Sequence, residues 1–210
     1  MTNFLLIRHA QCDPAGHSIA GRLPGVHLNE VGREEAEKLA GRLAELSLAG
    51  LYSSPLERAL ETAQPVALRQ QLSIQSLEEL NEIDFGDWTG KTLKELDQLP
   101  AWQRFNRFRS GSRIPGGENM AEVLARALQA VDWLRQRHPD PAEIVGVVSH
   151  GDLLRLLVAH ALGSSVDLMQ RLELSPASIS ILQWERYGPR LLLLNSTDGW
   201  PNQFSSRKAR

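Results

Sequence analysis

The feature that most constrains this chain is its opening run, Phe4-Leu5-Leu6-Ile7, which delivers Arg8 and His9 side by side. An uninterrupted, β-compatible apolar run reads as a strand buried on both faces, and such strands belong to sheets covered by helices on either side. In open α/β sheets the ligand crevice lies outside the carboxyl ends of the strands, so Arg8 and His9 arrive where a site is expected. A histidine after an apolar strand is more often structural than catalytic, and the rest of the chain has to decide what joins this pair.

The same grammar returns in Ile144-Val145-Gly146-Val147-Val148-Ser149-His150-Gly151-Asp152: an apolar run, a histidine, a glycine and the start of a helix. Between the two runs, Gln11 to Asn29 reads as a loop broken by Pro14, Gly16, Gly21, Pro24 and Gly25, and loops of this length tend to be functional. Asn29 is the expected N-cap of an amphipathic helix marked by Ala36, Leu39, Ala40, Leu43 and Leu46. Leu48 to Ser53 predicts a second strand, and Ser54-Pro55 predicts the cap and first turn of a helix towards Gln71. Arg58 then falls in the first turn, where a cation opposes the helix dipole unless an anion sits in front of it. Pro65 is expected to kink or shorten that helix.

Ser73 to Leu77 predicts a third strand, Leu80 to Gly90 a turn-rich segment dense in carboxylates and aromatics, and Leu93 to Leu99 a short helix. A long helix starts at Glu118 or Asn119, with Val123, Leu124, Ala127, Leu128, Val131 and Leu134 on its buried face. Leu153 to Leu162 is apolar nearly all round and predicts a central buried helix, while Ser178 to Glu185 and Arg190 to Asn195 predict a hairpin at the sheet edge. This alternation implies an α/β sandwich.

At 210 residues, the chain is long enough for one sizeable core, and we expect one domain over residues 1–201 with a frayed tail over 202–210. A net charge of -2 argues against a general nucleic-acid or acidic-membrane binder. The single cysteine, Cys12, excludes an internal disulfide and fits a reducing cytosol; the residue reads either as a reactive thiol or, preferably, as an incidental loop residue. No basic leader followed by an apolar segment and no membrane-length run is present, so a soluble, cytoplasmic protein is expected, as monomer or, through the edge hairpin, homodimer.

Arg8-His9, Arg58, Glu82 and His150 all fall at predicted strand ends or the turns after them. Two arginines offer forked donors suited to phosphate oxygens. Two histidines can include a neutral imidazole nucleophile and a partner that stabilises oxygens as imidazolium. A carboxylic acid raised in pKa by apolar neighbours such as Phe85 and Trp88 can protonate a leaving alkoxide. The set describes phosphoryl transfer through a phosphohistidine with no metal and no cofactor; a zinc reading of His9 and His150 is opposed by the flanking arginines, which repel a cation.

These motifs resemble the histidine phosphatase superfamily, the group that includes phosphoglycerate mutase-like phosphatases and mutases. Arg8-His9-Ala10-Gln11 is similar to its Arg-His-Gly signature, Ser53 to Ala59 with Thr62-Ala63 to its second arginine motif, Leu80 to Gly90 to its acid-bearing segment, and Ser149-His150-Gly151 to its second histidine motif; Gly32-Arg33 and Gly116-Gly117-Glu118 also match. The resemblance implies a phosphoglycerate mutase-like three-layer sandwich, a mostly parallel central sheet with helices on both faces. It implies His9 as the phosphorylated nucleophile, Arg8, Arg58 and His150 as the phosphate pocket, and Glu82 as the proton donor, with Asp84 and Asp87 as competitors for that role. Gln11, Arg22 and Gly151 are candidates for substrate binding. Ala10 stands where the family has glycine and is expected to narrow the pocket; His27 stands where many relatives carry an acid, which suggests a specialised substrate-side loop.

The expected activity is hydrolysis of a small phosphorylated metabolite. A phosphoglycerate-type mutase and a non-catalytic phospho-ligand binder are the alternatives. The segment between Glu82 and Glu118 is modest in size, and no extra basic cluster for a second substrate carboxylate is legible, which favours hydrolysis. Arg104, Arg107 and Arg109 with Trp102, Phe105 and Phe108 read as a solvated helix with its aromatic face packed down in preference to a lid. His17, His138 and His160 have no partner at recognisable ligand spacing.

Overall fold

The computed structural model describes residues 1–13 and 17–199, so the expected tail over 202–210 lies outside the described residues. The chain runs β1 (Thr2–Arg8), α1 (Glu30–Leu43), β2 (Gly50–Ser53), α2 (Glu57–Gln70), β3 (Ile74–Ser76), α3 (Leu93–Leu96), α4 (Pro100–Arg107), α5 (Met120–Arg137), β4 (Ile144–Ser149), α6 (Gly151–Ala161), β5 (Ile179–Glu185) and β6 (Gly188–Ser196). The strands form a 6-stranded sheet in the order β3-β2-β4-β1-β5-β6. Pairing is parallel from β3 through β1 and antiparallel on both sides of β5, which alone runs opposite to the other five strands.

The apolar run of β1 explains the layering. Its side chains alternate across the sheet: Phe4 and Leu6 enter a core with α5 and α6, whereas Leu5 and Ile7 enter a second core with α1 and α2. Phe4, Leu5 and Ile7 are fully buried, as expected of a strand with helices on both faces. The architecture is therefore the expected three-layer sandwich with a mostly parallel sheet, and the expected hairpin is present, with β6 at the edge.

The helix starts follow local chemistry. Asn29 accepts the amide of Gly32, and Asn119 forms a reciprocal capping box with Glu122 at the head of α5. Ser54, expected as the cap of α2, does something else: the helix begins at Glu57 after an extended Leu56, and the Ser54 hydroxyl is drawn into the site described below. Pro65 does not shorten α2, which runs on to Gln70 with one amide donor fewer. No helix of the described residues is long and apolar enough to cross a membrane.

Candidate active site

The register of β1 on β4 pairs Arg8 with Ser149, so His9 and His150 leave the sheet side by side. Their ring centroids lie 5.2 Å apart at 60°. The His9 amide donates to the Ser149 carbonyl at 2.8 Å, and the Ala10 amide donates to Oγ1 of Thr62 at 2.9 Å, tying the nucleophile turn to α2.

The environment of His9 fixes its tautomer. Nδ1 lies 2.7 Å from the Ala10 carbonyl, which can only accept, so Nδ1 carries the proton. Nε2 then has its lone pair free, and Nε of Arg58 donates to it at 3.3 Å. Burial, followed by the Arg58 charge, pulls the imidazole from its ordinary 6.5 to about 3. His9 is therefore a neutral base.

Arg58 itself is buried. It donates through Nη2 to the Gly21 carbonyl at 2.8 Å, and its Nη1 has no partner among the described residues. Arg8 donates through Nη1 to the Leu174 carbonyl, and its buried Nε is likewise unpartnered. His150 sits 2.8 Å from Oγ of Ser54 through Nε2, and Ser54 passes its own proton to Oδ1 of Asn81 at 3.0 Å. Nε2 of His150 is thus the donor, and its buried Nδ1 faces no partner among the described residues. Burial, then the neighbouring His9 and Arg58, push this imidazole well below its ordinary range. Buried polar groups are normally satisfied, so the unpartnered donors of Arg8 and Arg58 beside one neutral histidine mark a place for acceptor oxygens, and the bare Nδ1 of His150 can join them once it takes a proton.

Arg8, His9, Arg58, Glu82 and Gly151 line one open cavity of about 200 Å³, together with Cys12, Ser18, Ile19, Ala20, Gly21, Phe85, Asp152 and Arg155. The half-buried Glu82 carboxyl is pushed above its ordinary value by burial and then by Asp152. Its backbone is pinned: the carbonyl accepts from Nε of Arg22 at 2.8 Å and from Nη2 of Arg126 at 3.1 Å. Both arginines also bind Glu118. Burial alone would raise the Glu118 carboxyl, yet the Arg126 hydrogen bond and the Asp84 amide hold it below its ordinary value.

Several sequence expectations land elsewhere. Arg22 braces Glu82 and Glu118 and is not part of the cavity lining, and Gln11 is held by its backbone, the amide to Glu35 and the carbonyl to Asn29. Asp84 caps the Gly86 amide and Asp87 is exposed; neither lines the cavity. The methyl of Ala10 enters the core under α1 and α2, so it does not narrow the pocket. Cys12 is a wall residue, not an incidental loop residue, but burial raises its thiol and disfavours the thiolate. His27 pairs with Glu61 through Nδ1 at 2.5 Å on the surface. His138, given no partner by spacing, is buried against the Tyr52 hydroxyl at 2.8 Å.

In α4, Phe105 is buried against Trp88 and Trp102 while Arg104 and Arg107 stay in solvent, but Phe108, expected on the same packed face, lies just past the helix end and is exposed. Arg109 differs: it is 4% exposed, over the Phe105 ring and 4.0 Å from Asp152. Arg155 lines the cavity beside the phosphate residues, and Arg109 stands behind it through Asp152, a placement the linear sequence did not reveal. Asn81, Arg126 and Arg155 are the functional neighbours that sequence reasoning missed. Among the described residues no group of three or more His, Cys, Asp or Glu side chains converges as metal ligands would.

Comparison with known proteins agrees with this geometry. Residues 4–197 match the model of the histidine phosphatase superfamily, branch 1. Phosphoserine phosphatase 1 of Hydrogenobacter thermophilus is 30% identical over 202 residues, covering 94% of this chain and 93% of that protein. The solved structure of a mycobacterial glucosyl-3-phosphoglycerate phosphatase with VO3 superposes with a TM-score of 0.85 at 29% identity, covering 93% of this chain and 100% of that one. The α-ribazole phosphatase of Shigella flexneri gives a TM-score of 0.84 at 26% identity over 96% of this chain and 100% of its own. By sequence and by structure, the chain belongs to the histidine phosphatase superfamily.

Proposed function

We propose that this protein hydrolyses phosphate monoesters of small metabolites through a phosphohistidine formed on Nε2 of His9. The observation that carries this reading is the neutral, tautomerically fixed His9 surrounded by unpartnered nitrogens of Arg8, Arg58 and His150. Relatives that act on phosphoserine, glucosyl-3-phosphoglycerate and α-ribazole phosphate by name support a phosphomonoesterase and leave the substrate open.

In this mechanism the phosphoryl oxygens take the free donors of Arg8 and Arg58. Nδ1 of His150 takes a proton from solvent as the dianion binds, because negative charge beside it favours the imidazolium, donates it to a phosphoryl oxygen as a hydrogen bond, and returns it to solvent when phosphate leaves. Nε2 of His9 attacks phosphorus in line and the P–O bond to the alcohol breaks; the Nδ1–H bond to Ala10 steadies the charge that develops on the ring. The leaving alkoxide takes the proton of Glu82, which burial keeps protonated to a higher pH than usual. A water then yields a proton to the Glu82 carboxylate and attacks phosphorus, the P–N bond breaks, and phosphate leaves with His9 neutral again. The lone cysteine suits work in a reducing cytoplasm.

The test is to incubate chelator-treated protein with a panel of phosphomonoesters and with 3-phosphoglycerate, following free phosphate and 2-phosphoglycerate together. Free phosphate without isomerisation is the expected result. Isomerisation with little free phosphate would make the protein a mutase, and activity lost to the chelator and restored by a divalent ion would overturn the mechanism.

A further inference from the structure

The cavity has a second polar wall that the phosphoryl chemistry above does not use. Asp152 and Arg155 project from the first turns of α6 and both line the cavity. They are ion-paired through one prong only: Nη1 of Arg155 donates to Oδ1 of Asp152 at 3.0 Å. The remaining contacts hold each group in place. Nε of Arg155 donates to the Leu172 carbonyl at 2.9 Å, and Nε2 of Gln170 donates to the same Oδ1 at 3.0 Å.

Two atoms are left over. Among the described residues, Nη2 of Arg155 has no hydrogen-bond partner and is not buried, and Oδ2 of Asp152 accepts no hydrogen bond, with Nη1 of Arg109 at 4.0 Å. A structural arginine–carboxylate pair frequently closes with both prongs. Here each partner, itself a lining residue of the cavity, keeps one prong without a hydrogen bond among the described residues, and two guanidiniums meet a single carboxylate, so the wall favours an anion. It also stands close to the phosphate groups. A Cβ built on Gly151 would lie 3.3 Å from Nε of Arg8 and 3.4 Å from Nη1 of Arg155, so only the missing side chain of this glycine separates the two arginines.

We propose that this wall binds a carboxylate of the substrate, making the natural ester a small phosphorylated carboxylic acid. Nη2 of Arg155 takes a carboxylate oxygen, and Oδ2 of Asp152 takes a hydroxyl or amino hydrogen beside it. The cavity of about 200 Å³ suits a phosphate with a short polar tail. This inference rests on the phosphatase reading and narrows it.

Two ester pairs isolate the carboxylate: O-phosphoserine against phosphoethanolamine, and 3-phosphoglycerate against glycerol 3-phosphate. In at least one pair the acid should have a kcat/KM at least about tenfold higher, the scale of one charge-assisted hydrogen bond. Arg155→Gln should bring that ratio to within about threefold, and Arg155→Lys, which keeps charge without the fork, should fall between. Because each ratio is taken within one protein preparation, partial unfolding does not move it. A ratio near one in both pairs for the unaltered protein, or a ratio that survives Arg155→Gln, would overturn the proposal. If no ester is cleaved, p-nitrophenyl phosphate included, the phosphatase reading itself falls; the same pairs measured by calorimetry then decide the wall, with equal affinities overturning it.

Discussion

Nε of Arg58 lies 3.3 Å from Nε2 of His9, so the nucleophile's lone pair accepts from a guanidinium whose Nη1 has no partner among the described residues. Substrate oxygens compete for that guanidinium, and binding them releases the lone pair for attack. The same contact helps to keep the imidazole neutral, since a proton on Nε2 would face the arginine head-on.

Arg58→Ala should therefore act on both binding and titration. We expect kcat/KM to fall by about 10²-fold to 10³-fold, the scale of losing one group that stabilises developing charge. The His9 imidazole should titrate above about 3 once the second-largest cause of its depression is gone. NMR titration of the ring reads this directly; an unmoved titration would mean that burial alone sets it.

Glu82→Gln should separate substrates by leaving group. On alkyl phosphates, whose alkoxide needs a proton, turnover should drop about 10²-fold to 10³-fold, while p-nitrophenyl phosphate should lose far less. Equal losses on both would remove Glu82 from the acid role.

Stability should fall on the acid side. The folded state holds His9 at about 3 against an ordinary 6.5, so between those values the unfolded chain binds more protons and stability drops as pH falls. His150 is shifted in the same direction. At pH 5 the His9 contribution alone is about 2 kcal/mol. Urea titrations at pH 7 and pH 5 should show His9→Asn losing about that much less than the unaltered protein; identical losses would mean that His9 titrates normally in the fold.

Glu118→Gln should weaken the scaffold behind the acid. Glu118 meets Arg22 and Arg126 with its side chain 17% exposed, and Arg126 is 15% exposed. Removing the carboxylate leaves the largely buried Arg126 without its ionic partner, at a cost of about 3 kcal/mol. A lowered denaturation midpoint should come with reduced turnover on alkyl phosphates, because both arginines also hold the Glu82 carbonyl.

How much of this was legible beforehand depended on whether a residue's job is local. The buried strands, the caps at Asn29 and Asn119, and the histidines after β1 and β4 follow from short-range pattern, and the sequence places them correctly. Arg155 is different. It lies in a helix apolar nearly all round, and only the fold turns its face to the cavity beside Asp152. Arg109 follows an aromatic helix whose other arginines are in solvent, and nothing in its neighbours along the chain distinguishes it. Ser54 has the composition of a cap, but tertiary partners, His150 and Asn81, compete for its hydroxyl and win. Arg22 shows the same competition: its loop faces the site, and the Glu118 carboxylate holds its guanidinium.

The pairing of Arg8 with Ser149 across β1 and β4 also says which changes of length this protein can tolerate. Inserting one residue into either strand would carry its histidine about 3.3 Å along and turn it to the opposite face of the sheet. The two rings would then serve different cores. Loops can lengthen around this site, and helices can trade side chains, but the spacing from the start of each strand to its histidine has no slack.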